Sequence, residues 1–258
     1  MTLNFDAMRK KLSELQGQSK RSNALWKPPA GKSVIRIVPW KGNPENPFIE
    51  LHFHYMGSRT QLSPITFGRA DPIVEFAKKL RQSGDRDEWQ YSKQFMPKLR
   101  TFVPVIVRGE EKEGVRFWGF GRTVYEELLA VINDSEWGDI TDPQSGRDIA
   151  ITYIPKKESD TAFSKTFPRV SPNKSPLTTD AKLLEKFLSE QPDIYSIFTE
   201  PSYEELAEFL ERYLGGDAST TVEQKSPSAI EESDKDDNGD EDFSATTVEN
   251  EFEKLFNE

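Results

Sequence analysis

Cysteine is absent from this chain of 258 residues. Its absence excludes disulfides, thiolate metal sites and cysteine nucleophiles, and it fits a protein of the reducing cytoplasm. Histidine occurs only as His52 and His54. Two histidines alone make a poor metal site, because structural zinc takes four ligands and usually includes thiolates. We therefore expect no metal or other cofactor, and we expect the two histidines to form a surface or groove-lining pair on one face of a strand.

Long apolar runs and catalytic motifs are also missing. No apolar stretch reaches the roughly 18 residues that a membrane-spanning helix needs, so we expect no membrane partner. The chain has no phosphate-binding GxxxxGKS/T loop, no GxGxxG after a predicted strand, no GxSxG elbow and no HExxH helix. We therefore expect no enzyme. Asp71 and Glu75 could bind Mg²⁺ in a nuclease, but a helix N-cap and first turn explain both better.

Charge is distributed unevenly, although the whole chain has a net charge of −10. Residues 217–258 contain 14 acidic and three basic side chains, whereas the other 216 residues contain 30 acidic and 31 basic ones. The first 40 residues alone hold eight cations against two carboxylates. The sequence therefore predicts a basic front, a near-neutral body and an acidic end. An acidic average does not exclude a nucleic-acid partner for such a chain.

Alternating strands and capped helices predict an α+β fold, with an OB-fold-like β-barrel core decorated by helices. Strands are expected at 33–40, 48–56, 99–107, 114–125 and 147–155, and helices at 5–16, 70–84, 124–133, 180–189 and 202–214. The polar stretch 156–177 is expected to be a long loop. Three segments are predicted: a basic N-terminal arm over 1–24, a core over 25–216 and a disordered acidic tail over 217–258.

The stretch GVRFWGFGRTVY, residues 114–125, has two rings and two cations at every second position: Arg116, Trp118, Phe120 and Arg122. Since strand side chains alternate between faces, these four would share one face. We expect Trp118 and Phe120 to point outward, because Val115 and Phe117 would then point into the core. The alternative is that Trp118 and Phe120 belong to the core and the arginines to a solvated rim.

Exposed rings interleaved with cations are typical of surfaces that bind single-stranded nucleic acid. Free bases stack on such rings, each contributing about 1–3 kcal/mol, while cations contact the phosphates. The loop DTAFSKTFPR, residues 160–169, repeats the pattern more weakly. Packed aromatics with a solvated rim remain the alternative for that loop as well.

The acidic tail could be only a solubility device. Its charge favours a further role, because a tethered polyanion competes with DNA phosphates at high effective concentration. The final residues ENEFEKLFNE place apolar side chains among acids, which is typical of a short amphipathic helix that docks on a basic partner. The predicted partner-binding residues are Phe252, Leu255 and Phe256.

The stretches GKSVIRIVPWKGNPENPFIELHFHYMG and LRTFVPVIVRGEEKEGVRFWGFGRTVYEELLAVI resemble the single-stranded-DNA-binding, helix-destabilising proteins of T-even-type bacteriophages. The similarity runs, with gaps, from about Leu25 to Leu214. This resemblance implies an OB-fold core that binds DNA in a cleft of aromatic and basic residues. It also implies a basic arm for cooperativity and an acidic C-terminal domain.

The resemblance further implies a zinc held by one histidine and three cysteines. His54 matches that histidine, but the Cys-Pro-x-Cys start of the following helix is replaced here by Asp71, Pro72, Ile73 and Val74. The zinc is therefore expected to be absent. Apolar packing around Ile73, Val74 and Phe76 would then have to hold this part of the fold.

Together, the residues and the resemblance predict a non-catalytic phage protein that coats and protects single-stranded DNA in replication, recombination and repair. It would act in the host cytoplasm, self-associate along DNA and bind replication and recombination proteins through its tail. A single-stranded RNA binder, a metal-dependent nuclease or an interaction scaffold are the alternatives. The predicted nucleic-acid contacts are Lys20, Arg21, Lys98, Arg100, Phe102, Arg116, Trp118, Phe120, Arg122, Phe163 and Lys165.

Overall fold

The computed structural model describes residues 23–57, 59–161 and 163–215. These residues divide into two compact units: a first unit of 23–49 and 101–197, and a second unit of 50–100 and 198–215. The predicted helix at 5–16, most of the basic arm and the acidic tail lie outside the described residues. Within the described part of the chain, no helix is long and apolar enough to cross a membrane.

The described residues form a mixture of strands and helices, so the predicted α+β class is confirmed. The strands are β1 (Leu25–Trp26), β2 (Gly31–Ile37), β3 (Ile49–Met56), β4 (Arg59–Leu62), β5 (Lys98–Val107), β6 (Arg116–Phe120), β7 (Arg147–Ile154) and β8 (Lys165–Lys174). The α-helices are α1 (Pro72–Gln82), α2 (Arg86–Ser92), α3 (Arg122–Asn133), α4 (Ala181–Ser189), α5 (Ile194–Ile197) and α6 (Tyr203–Leu214). Short 3₁₀ turns cover Pro64–Phe67, Lys93–Phe95 and Glu111–Glu113.

The sheet of the first unit follows the strand order β1-β6-β5-β2-β7-β8. The β1–β6 pair is parallel and the other pairs along this path are antiparallel. The path does not return from β8 to β1 among the described strands, so the sheet is open and the predicted closed barrel is not confirmed. Pro168 and Pro172 lie in β8 and remove backbone donors there, which suits a strand at the edge of a sheet.

One face of this sheet packs on α3 and forms the main core of the first unit. The cluster includes Trp26, Ile35, Ile37, Val103, Val105, Trp118, Phe120, Val124, Leu128, Ile149 and Ile151. Burying each such side chain contributes roughly 1.5–3 kcal/mol. A second buried cluster, with Val38, Ile106, Val115, Leu177 and Phe187, includes the apolar side of α4.

A buried guanidinium on β2 forms hydrogen bonds with two later segments of the first unit. Arg36 is fully buried on β2 and donates to the carbonyl oxygens of Asp142 (2.7 Å) and Ser175 (2.8 Å). Its Nη1 also lies 3.6 Å from Asp148 Oδ1 on β7. Burial lowers the pKa of Arg36, whereas the Asp148 carboxylate opposes that shift. Arg108 donates to the same carboxylate at 2.7 Å, so Asp148 balances two cations.

The polar stretch 156–177 contains a ten-residue strand instead of the expected long loop. β8 pairs with β7 continuously from Lys165, opposite Ile154, to Val170, opposite Ile149. The register shifts between Ile149 and Arg147. The prediction of a loop over 156–177 is therefore wrong for residues 165–174. Its two prolines and polar composition are typical of loops, but they are also compatible with an edge strand whose one face is open to solvent.

The second unit is organised by helix caps that the sequence predicts correctly. Asp71 caps α1, with Pro72 in the first turn, and Ser202 and Glu205 form a capping box on α6. The Tyr203 hydroxyl donates to Glu75 at 2.8 Å, and burial together with this carboxylate raises the pKa of Tyr203 to about 12. The apolar cluster of this unit contains Met56, Ile73, Phe76, Ala77, Leu80, Phe95, Leu206, Phe209 and Leu210.

Candidate nucleic-acid interface

The predicted stacking face on β6 is buried. Trp118 is 1% exposed and Phe120 is 3% exposed. Their rings lie 4.5 Å apart, and Trp26 meets Trp118 edge-on at 6.4 Å. The prediction that Trp118 and Phe120 point outward is therefore wrong, and the core alternative is correct for both. β6 lies between β1 and β5 in the sheet, and both of its faces are covered. Side chains that alternate between these faces are therefore buried on either one.

Phe102 is also buried, on the opposite face of the same strands. It pairs directly with Gly119 of β6, and a Cβ atom at Gly119 would lie only 2.6 Å from Cε1 of the Phe102 ring. The ring therefore occupies the space that the glycine leaves. Phe102 presents no ring face to solvent in this conformation, which does not fit the predicted base stacking.

The two arginines of the predicted face are separated by the end of β6. Arg116 is half-buried and forms an ion pair with Glu110 at 2.5 Å. Arg122 lies in the first turn of α3, is largely exposed, and forms an ion pair with Glu126 at 2.7 Å. Since Arg122 is in a helix and not in the strand, the four residues do not share one face.

The other predicted contacts fall in three places. Lys98 is half-buried and Arg100 is buried, and both belong to the second unit. Phe163 and Lys165 lie on the β7–β8 hairpin, where both are half-buried. Lys20, Arg21, Phe252, Leu255 and Phe256 lie outside the described residues, so their roles stay predictions.

An open surface with the predicted chemistry exists on β2, β7 and β8. Opposed residues of antiparallel strands share a face, and the register pairs Thr152 with both Phe167 and Lys32. Alternation along β8 adds Lys165 and Arg169 to the side of Phe167. We call this surface the open face; it consists of Lys32, Val34, Ala150, Thr152, Ile154, Lys165, Phe167 and Arg169.

The open face is exposed and cationic. Phe167 is 48% exposed, and Lys32, Thr152 and Arg169 are exposed as well. Lys165 donates to Asp160 at 2.6 Å, whereas Lys32 and Arg169 form no ion pair with any residue that the structure describes. The segment 156–174 holds five cations and two carboxylates. A phosphate backbone would therefore meet, beside an exposed ring, two positive charges that no described carboxylate pairs with.

The spacing on β8 suits a nucleotide chain. Lys165 and Arg169 each lie two residues from Phe167, or about 6.6 Å along a strand. A base stacked on Phe167 would leave its flanking phosphates within reach of both cations. Stacking requires a base that is not already paired and stacked in a duplex, so this arrangement favours a single strand.

The sequence pattern that indicates the open face is weaker than the one at residues 114–125. Lys165, Phe167 and Arg169 alternate in the same way as Arg116, Trp118 and Phe120. Phe167, Arg169 and Lys32 are absent from the predicted contacts, because the prolines indicate a loop and the pairing of β2 with β7 is a long-range feature.

The two histidines do not form the expected surface pair. His54 is 1% exposed, and its Nε2 lies 2.8 Å from Asp71 Oδ2, whereas His52 is half-buried. The Ser63 hydroxyl donates to the same Asp71 oxygen. In a nucleophilic triad the serine instead bonds the histidine, so this cluster has a different geometry. Both acids considered for a nuclease are engaged, because Asp71 binds these donors and Glu75 binds Tyr203.

Comparison with known proteins gives a family but no individual relative. A search of curated proteins found no match. The family model described as "gp32 DNA binding protein like" matches residues 29–215, which include nearly all of the described fold and the whole open face. The chain therefore belongs to the gp32-like family of DNA-binding proteins.

Proposed function

We propose that this protein binds single-stranded DNA on the open face. One observation carries the proposal. Phe167 is exposed on the open face, with Lys165 and Arg169 on either side of it along β8 and with Lys32 on β2, the strand on the other side of β7. Family membership supports DNA as the ligand. In this proposal Phe167 stacks a base, and Lys32 and Arg169 bind phosphates.

The wider role follows the sequence and the family. We propose a non-catalytic protein that coats and protects single strands during phage replication, recombination and repair in the host cytoplasm. The basic arm over 1–24 would contact the neighbouring copy on DNA, and its Lys20 and Arg21 would bind phosphates. Phe252, Leu255 and Phe256 would bind replication and recombination proteins.

Replacing Phe167 with alanine tests the site. We expect the affinity for a labelled oligo(dT) to fall by about 1–3 kcal/mol, or roughly 5- to 150-fold, because one base loses its stacking partner. Fluorescence anisotropy titration measures the loss. Phe67→Ala is the matched control: Phe67 is 36% exposed with Arg69 beside its ring, but it lies in the second unit. Equal losses in the two variants would contradict the assignment to the open face.

The same titration with other variants and other nucleic acids identifies the residues that bind phosphate and the ligand. Lys32→Gln and Arg169→Gln should each lower the salt slope of binding by about 0.7 for each phosphate that the removed cation neutralises. Lys186→Gln, at an exposed cation on α4, should leave the slope unchanged. Tighter binding to oligo(U) or to duplex DNA would contradict the single-stranded DNA proposal. Cleavage of the oligonucleotide in Mg²⁺ would indicate a nuclease instead.

Deleting residues 217–258 tests the proposed competition between the tail and DNA. The deletion changes the net charge from −10 to +1, because the segment holds 14 acidic and three basic residues. We expect tighter binding to single strands at low salt, since the binding surface is no longer occupied part of the time. The difference should disappear near 1 M salt, where the Debye length is only about 3 Å.

A matched variant separates the two roles of the tail. Phe252→Ala combined with Phe256→Ala keeps the charge, so DNA affinity should be unchanged while binding to replication proteins falls. If the deletion leaves DNA affinity unchanged at every salt concentration, the competition model fails.

A further inference from the structure

The second unit contains a fully buried polar cluster where the resemblance implies a zinc site. Asp71 Oδ2 accepts from His54 Nε2 (2.8 Å) and from Ser63 Oγ (2.5 Å). Asp71 Oδ1 accepts from the backbone N–H groups of Ile73 (3.0 Å) and Val74 (3.2 Å). The three side chains are at most 3% exposed. Both carboxylate oxygens are therefore saturated by four donors.

This donor set does not fit a metal. His54 Nε2 is committed to Asp71, and a bound cation would have to replace that hydrogen bond. The remaining ring nitrogen, Nδ1, is buried without a hydrogen-bond partner, and one imidazole nitrogen falls far short of the four ligands that structural zinc takes. No group of three histidine or acidic side chains in the described residues could hold a metal ion.

The cluster joins three separate segments of the second unit. His54 lies on β3, Ser63 follows β4, and Asp71 precedes α1. Burial by itself raises the pKa of Asp71, but the hydrogen bonds from His54, Ser63 and Val74 outweigh it and hold that pKa below its ordinary value. A zinc site would join such segments by coordination; here one carboxylate joins them by hydrogen bonds.

We infer that the His54–Asp71–Ser63 cluster takes the structural place of the family's zinc, so that the second unit folds without a metal. The apolar packing of Ile73 and Phe76 contributes as the sequence predicts, but the carboxylate fixes the start of α1 against β3 and β4. This inference concerns the fold of the second unit and does not depend on the proposed DNA-binding face.

Asp71→Asn in the 258-residue chain tests the inference. The amide NH₂ would face the donors of His54 or Ser63, so we expect the melting temperature to fall by about 5–10 °C. Asp85→Asn is the matched control, because Asp85 caps α2 with two backbone bonds but is exposed; it should shift the melting temperature by less than about 2 °C. Hydrogen exchange of peptides from 50–82 should report the loss locally. If Asp71→Asn is insoluble, Ser63→Ala provides the same comparison with one bond removed.

Whether the second unit needs a metal is tested on the wild-type protein. We expect purified protein to contain far less than one zinc per chain by elemental analysis, and EDTA to leave its melting temperature unchanged. One zinc per chain, a lower melting temperature in EDTA, or Asp71→Asn and Asp85→Asn of equal stability would each overturn the inference.

Discussion

Replacing Trp118 with alanine should destabilise the first unit by about 3–5 kcal/mol. The indole is 1% exposed and packs against Trp26 and Phe120 in the main core, so its removal leaves a large cavity. For a chain of this size the melting temperature should fall by roughly 10 °C or more. Thermal unfolding followed by circular dichroism measures the effect.

Phe167→Ala is the natural comparison for this variant. Both rings belong to a period-2 pattern of rings and cations, but Phe167 is exposed, so its loss should change stability by less than about 0.5 kcal/mol. The two variants should therefore show opposite profiles: Trp118→Ala loses stability, and Phe167→Ala loses DNA affinity. A Trp118→Ala protein that melts like the wild type but binds DNA weakly would show that the indole stacks a base after all.

Arg36→Met should cost a similar amount, about 3–5 kcal/mol. The substitution keeps the aliphatic stem but removes a fully buried guanidinium. It leaves the Asp142 and Ser175 carbonyls without this donor and leaves Asp148 with Arg108 as its charged partner. Chemical denaturation of the 258-residue chain measures the loss.

Arg122→Met is the control for the loss of an arginine. Its ion pair with Glu126 is exposed on a helix, where such pairs contribute less than about 1 kcal/mol. If the two substitutions cost the same, the Arg36 cluster does not stabilise the fold in the way its burial indicates.

Much of the fold is predictable from the sequence because its signals are local. Asp71 with Pro72 and Ser202 with Glu205 begin helices through contacts within one turn, and the structure confirms both caps. The strands β2, β3, β5 and β7 follow from alternation within each segment. The uneven charge, with a net −11 over residues 217–258, also depends on composition alone.

The candidate site depends on contacts that are distant in sequence. The alternating pattern of cations and rings occurs on both β6 and β8, and the alternation itself does not distinguish a covered strand from an edge strand. β6 pairs with β1 and β5 and is covered on both faces, whereas β8 ends the strand path and, among the described strands, pairs only with β7. Only the order of strands in the sheet decides that Trp118 stabilises the core and Phe167 faces solvent. Strand order is set by pairing between distant segments, and alternation within one segment carries no information about it.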